Sequence, residues 1–134
     1  MDTSEVRSIV RANLDRLRDQ LNIGSWFINV SYPALEGDVV GRATVHAEYK
    51  RAEIELDPAK LEDEAEVLRV LRHELIHVFL WPMHAFAVHA HDISDGRSTD
   101  FLWTFMLERM VKAVEDLLDG HGVPLAAQEV EAAA

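Results

Sequence analysis

The sequence contains no cysteine, so neither a disulfide nor a thiolate metal ligand is available to the fold. A bound metal ion would therefore be held by histidine and carboxylate side chains. The sequence also lacks an apolar run near the roughly 18 residues that a membrane span needs, and we expect no membrane association. It lacks the basic segment and apolar run of a secretory signal, which predicts a cytoplasmic protein.

Positive charge is scarce. Lys and Arg number 13 against 24 Asp and Glu, which gives a formal net charge of −11. A surface of this sign repels phosphate backbones, so we expect no nucleic-acid partner. The length of 134 residues and the apolar fraction of 49% suit one folded domain over 1–134, with a disordered tail at 128–134.

The periodic segments predict an α+β fold. Helical spacing of apolar residues predicts three helices, at about 4–21, 61–81 and 99–118. Alternating or β-branched segments predict three strands, at 26–32, 43–49 and 52–56. Residues 82–97 are expected to form a loop. We predict helices packed on a small three-stranded antiparallel sheet.

One motif in the second predicted helix carries recognisable chemistry. Residues 73–77 read His-Glu-Leu-Ile-His, which places His73 and His77 one helical turn apart on the same face. Both imidazoles can reach one zinc ion there. Glu74 projects beside them, where it can take a proton from a water next to the metal. The motif predicts a metal-assisted hydrolase with Glu74 as general base.

A zinc hydrolase needs a third protein ligand, and the sequence offers several. Glu108 is the first candidate because a lone carboxylate in the apolar run 101–111 is costly to bury unless it is paired or bound to metal. Its alternative role is a surface ion pair with Lys112, four residues later. The weaker candidate ligands are Glu115 and three histidines of the predicted loop, His84, His89 and His91.

The motif, with a short sheet before it and a glutamate about thirty residues after it, resembles the gluzincins. The chain is most similar to the minimal zinc peptidases of phage, prophage and bacterial regulatory genes, over roughly residues 26–118. The metzincin pattern does not fit, since it requires glycine and histidine where Leu80 and Met83 stand. The chain departs from larger gluzincins at Lys112, where they often carry an aspartate that orients a histidine.

The resemblance implies a zincin-like fold, one zinc ion per chain on His73, His77 and Glu108, and a peptide or protein substrate. It also implies that an edge strand, either 43–49 or 52–56, pairs with an extended peptide. Oxyanion stabilisation could come from a cationic or hydrogen-bonding side chain, and the candidates are His84, His89, His91, Arg109 and His121. The alternative function is a non-catalytic, zinc-stabilised regulatory or interaction module. A third possibility is a domain without metal.

Overall fold

A computed structural model describes the backbone of residues 1–83, 85 and 99–126, with all side chains of these residues except those of 99–103. In chain order the elements are α1 (Thr3–Gln20), β1 (Phe27–Ser31), β2 (Gly41–His46), β3 (Arg51–Leu56), α2 (Glu64–Phe79) and α3 (Thr99–Gly120). The α+β class expected from the sequence is confirmed. Most of the predicted loop 82–97 lies outside the described residues, although Pro82 and Met83 continue in helical conformation.

The sheet is mixed, and the prediction of an antiparallel sheet is wrong. β3 lies in the centre, with β1 on one side and β2 on the other. β2 and β3 form an antiparallel pair, whereas β1 runs parallel to β3. The hairpin made by β2 and β3 brings β3 back into the middle of the sheet. Side-chain alternation reports which face of a strand is buried, but it does not report which strand lies beside it.

The second strand is shorter than predicted and shifted towards the N-terminus. It ends at His46, and Ala47–Tyr49 forms a 3-10 turn that leads into Lys50 in the left-handed region (φ 48°). Tyr49 was expected on the buried face, but it is 76% exposed. Phe27 N–H donates to Lys50 O at 2.9 Å, so this turn also fixes the start of β1 against β3.

Helix α2 lies on the covered face of the sheet and supplies more of the core than any other element. It begins at Glu64 rather than near residue 61 because the Asp63 carboxylate accepts a hydrogen bond from Glu66 N–H at 2.8 Å, a standard N-cap. Its fully buried apolar side chains are Val67, Leu68, Leu71, Leu75, Ile76 and Val78. They share one cluster with Ala52, Ile54 and Leu56 of β3 and with Val6, Val10 and Leu17 of α1.

Helix α3 runs antiparallel to α2. Later residues of α2 contact earlier residues of α3. Arg72 pairs with Asp119 (3.0 Å), whereas His77 contacts Glu108 (3.2 Å). Val111 is its fully buried residue among the described side chains, while Phe105, expected to bury the helix, is 48% exposed. None of the described helices has the length and apolar character required to cross a membrane.

Candidate metal centre

The two motif histidines project from the exposed side of α2, one turn apart. Their ring centroids are 5.1 Å apart with an interplanar angle of 63°. The side chain of His73 is 35% exposed and that of His77 is 19% exposed. Both rings are therefore held at the surface of the core, where a ligand from solvent can reach their nitrogens.

Helix α3 brings Glu108 across to these histidines. Its carboxylate oxygens lie 3.5 Å from His73 Nε2 and 3.2 Å from His77 Nε2. Lys112, the alternative partner, is instead paired with Asp116 at 3.0 Å. Glu108 was selected as a candidate because a buried lone carboxylate is costly, but its side chain is 52% exposed, so that reason was wrong. The residue nevertheless lies beside the two histidines, as expected.

The donor set fits a zinc ion. Candidate ligand atoms of His73, His77 and Glu108 all lie within 4.8 Å of one another. Ligand atoms about 2.0–2.2 Å from a tetrahedral zinc ion are separated by roughly 3.3–3.6 Å, close to the two histidine–carboxylate distances. A tetrahedral ion held by these two nitrogens and one oxygen would keep one position open, as in catalytic rather than structural zinc sites.

Glu115 holds the other nitrogen of His73. Its Oε1 lies 2.7 Å from His73 Nδ1, and its side chain is only 21% exposed. When Nδ1 donates this hydrogen bond, the lone pair of Nε2 is left facing Glu108 and the candidate metal position. Glu115, the weaker candidate ligand, is not part of the group of close ligand atoms and contacts the far nitrogen of His73 instead. The signal in the sequence is the seven-residue spacing between Glu108 and Glu115, which puts both carboxylates on one helix face.

Glu74 is buried beside the ligands without being one of them. It is 8% exposed and accepts no hydrogen bond from any described residue. Burial raises the pKa of Glu74 to about 7; the neighbouring His73 opposes this shift and Glu108 adds to it. A carboxylate in this position can exchange a proton near neutral pH.

Gly41, the first residue of β2, lies directly against Glu74. A Cβ atom at this position would be 2.7 Å from Val70 Cγ1 and 3.3 Å from Glu74 Oε1. The first of these distances is shorter than side chains tolerate, so a larger residue would displace the wall of the site. Glycine thus permits the closest approach of the edge strand to the general-base candidate.

Two cavities meet at this point. The larger, about 430 Å³, is lined by both histidines, Glu108, and the apolar side chains Val45, Trp81 and Leu107. The smaller, about 410 Å³, is lined by Val40, Arg69, Val70 and Glu115. Gly41, His73 and Glu74 line both, so one candidate ligand and the general-base candidate lie where the two cavities meet.

Two of the candidates for oxyanion stabilisation, Arg109 and His121, line neither of the two cavities. The Arg109 guanidinium instead stacks 5.5 Å from the Phe105 ring. His84, His89 and His91 lie outside the described residues. Among the described residues, Arg42 lines the larger cavity, but it is bonded to Glu55 at 3.0 Å and Glu36 at 3.2 Å.

No protein-family model matches the chain, and searches of curated proteins and of solved structures likewise found no match. What is established is therefore an α+β chain in which His73, His77 and Glu108 lie close enough together to hold one metal ion.

Proposed function

We propose that this protein is a zinc-dependent peptidase that holds one zinc ion on His73, His77 and Glu108 and uses Glu74 as its general base. The observation that carries the proposal is the environment of Glu74. Glu74 is 8% exposed, lines the cleft and forms no hydrogen bond to the described residues that would give it a structural role. Its place between the ligand cluster and an open cleft suits a proton-transfer role.

A zinc ion bound to the three ligands would supply Lewis acidity, which lowers the pKa of a bound water and polarises the carbonyl group of the scissile peptide bond. Glu74 accepts the proton of the attacking water and delivers it to the departing amine as the peptide bond breaks. Glu115 keeps the His73 ring in the orientation and tautomer that binding requires.

Among the described strands, β2 lies at an edge of the sheet, which suits pairing with an extended peptide. Asp57 N–H donates to Val40 O at 2.9 Å, and the register of β2 on β3 continues from this pair. Bonded and non-bonded pairs alternate in an antiparallel ladder, so the N–H and C=O groups of Gly41, Ala43 and Val45 point away from β3. A substrate backbone can pair with them in the cleft. The alternative edge, residues 52–56, is excluded because β3 is the central strand.

The first test measures metal and cleavage together. Protein purified without a nickel column is expected to contain about one zinc per chain. His77→Ala should lose stoichiometric zinc. Glu74→Gln should retain zinc and fold but lose hydrolysis of an unfolded test protein, since Glu74 handles protons and not the ion.

Two results would contradict the proposal. Full zinc content in both His73→Ala and His77→Ala would show that the metal is bound elsewhere. Equal cleavage by the wild type and by Glu74→Gln would remove Glu74 from the mechanism. Zinc binding without cleavage by the wild type would favour the alternative, a zinc-stabilised regulatory or interaction module.

A further inference from the structure

Arg69 is a cleft residue that the proposed mechanism does not use. It lies one helical turn before His73 on α2 and lines the smaller cavity together with Val40 and Val70. Its side chain forms no hydrogen bond, ion pair or ring contact with any residue in the described part of the chain. The neighbouring Arg72, by contrast, is 3% exposed and bound to Asp119.

Arg69 is exposed, so its guanidinium is open to solvent at the edge of the cleft. The chain carries a formal net charge of −11, with 24 acidic residues against 13 basic ones. Two carboxylates among the described residues line the same cavity: that of Glu115 is hydrogen-bonded to His73, and that of Glu74 is the general-base candidate. A guanidinium kept free at one end of a cleft retains its full capacity for a two-pronged bond to a carboxylate.

The topology fixes which part of a peptide would reach it. β2 starts at Gly41, beside Arg69 in the smaller cavity, and continues to Val45, beside Trp81 in the larger one. Antiparallel strand pairs outnumber parallel ones two- to three-fold, so the favoured peptide runs opposite to β2. Its N-terminal part then lies in the larger cavity near Trp81, and its C-terminal part lies towards Arg69.

We propose that Arg69 selects substrates with a carboxylate on the C-terminal side of the scissile bond, either the C-terminus of the peptide or an acidic side chain. The inference rests on the proposed peptidase function for the position of the scissile bond. The aliphatic side chains of Val40 and Val70 line the same cavity as Arg69.

The experiment compares matched peptides on the zinc-loaded protein. One pair of short peptides differs only in a free or an amidated C-terminus, and a second set moves a single Glu or Gln along an alanine and leucine background. Cleavage by the wild type is read by mass spectrometry, and affinity is read by fluorescence anisotropy on Glu74→Gln. Carboxylate peptides are expected to be preferred by about tenfold over neutral ones.

Variants assign the preference to one side chain. Arg69→Gln should remove the preference for carboxylate peptides. Arg69→Lys should retain part of it, because lysine keeps the positive charge but lacks the two-pronged hydrogen-bonding geometry of the guanidinium. Arg11→Gln is the control, since Arg11 is exposed on α1 and lines neither cavity. The pair with a free or an amidated C-terminus tests recognition of the terminal carboxylate. The set in which a single Glu or Gln changes position tests recognition of an acidic side chain.

The outcomes separate the two proposals. Cleavage without a carboxylate preference, or a preference that survives Arg69→Gln, overturns the role of Arg69 and leaves the peptidase standing. A preference for acid on the N-terminal side of the scissile bond overturns the direction of the peptide, and the inference with it. A preference in binding that depends on Arg69, without any cleavage, supports carboxylate recognition and overturns the peptidase.

Discussion

Asp57 and Glu74 are buried carboxylates of the same chain, 3% and 8% exposed, with opposite surroundings. Asp57 follows β3 and accepts hydrogen bonds from Leu35 N–H at 2.9 Å and Ala59 N–H at 3.1 Å, with Lys60 Nζ at 3.3 Å. Glu74 has no such partner among the described residues. The Asp57 carboxylate therefore links separate parts of the fold, whereas the Glu74 carboxylate is available for proton transfer.

The direction of the pKa shift follows the same division. The backbone N–H of Leu35, more than any other contact, holds the pKa of Asp57 below its ordinary value of 3.8. Burial raises that of Glu74. A buried carboxylate with hydrogen-bond partners thus stabilises the fold. One without such partners lowers the stability, which is typical of residues retained for function. The predictions below test this contrast, ordered by their expected effect on the site.

Glu74→Gln should reduce hydrolysis by about 10²–10⁴-fold while leaving thermal stability unchanged or raised, because it removes a largely buried charge that no hydrogen bond from the described residues stabilises. Peptide cleavage and the melting temperature, measured on the same preparation, check both parts. A clear drop in melting temperature would mean that Glu74 is structural and that the contrast with Asp57 is wrong.

Glu115→Ala should weaken zinc affinity by about 10–100-fold, the usual cost of losing a residue that orients a ligand. Competition with a fluorescent chelator measures the affinity. Asp116→Ala is the matched control, since Asp116 is adjacent in sequence but pairs with Lys112. Glu115→Gln should restore part of the affinity, since its amide oxygen can still accept from Nδ1. Equal affinity in all variants would deny the orienting role.

Gly41→Ala should lower the rate of cleavage by about tenfold with zinc content unchanged, since the added Cβ displaces Val70 and Glu74 rather than a ligand. Zinc analysis and steady-state kinetics separate the two effects. Gly120→Ala offers a control, because a Cβ at residue 120 would meet no atom within 4 Å. Loss of zinc in Gly41→Ala would show that the strand supports the ligands instead of the base.

Asp57→Ala should lower the melting temperature while leaving the cleavage rate per folded molecule within about twofold, because Asp57 bonds the fold and not the cleft. Asp15→Ala is a suitable comparison, since the Asp15 side chain is 96% exposed. Unchanged stability in Asp57→Ala, or a large loss of activity at full folding, would remove the basis for treating the two carboxylates as opposites.

The smallest expected effect lies in the pH dependence of stability. The contribution of Asp57 is complete above pH 3.8 and is lost as pH falls through its lower folded pKa. The penalty from Glu74 is absent below pH 4.5 and grows as pH rises towards about 7. In metal-free protein, the melting temperature of Glu74→Gln relative to wild type should therefore rise between about pH 5 and 7.5, and a flat difference would contradict this.

The sequence allowed the motif helix and the approximate positions of β1 and β3 to be predicted, because these depend on local periodicity. It also pointed to Glu108 as the third residue of the cluster, although through an argument from burial, whereas the residue is half exposed. The parallel pairing of β1, the end of β2 at His46 and the contact of Glu115 with His73 were not predicted. Each depends on which elements become neighbours in space, and one-dimensional spacing does not report that.

The pairing of α2 with α3 has a consequence for the energetics of metal binding. The candidate ligands come from both helices, and Val111 is the one fully buried residue among the described side chains of α3. An ion bound by His73, His77 and Glu108 would cross-link α2 to α3 over the 30 residues that lie between His77 and Glu108, so its binding energy would add directly to the docking of α3. Zinc concentration would then set how often α3 detaches, and amide hydrogen exchange in α3 would slow on zinc addition far more than exchange in β3.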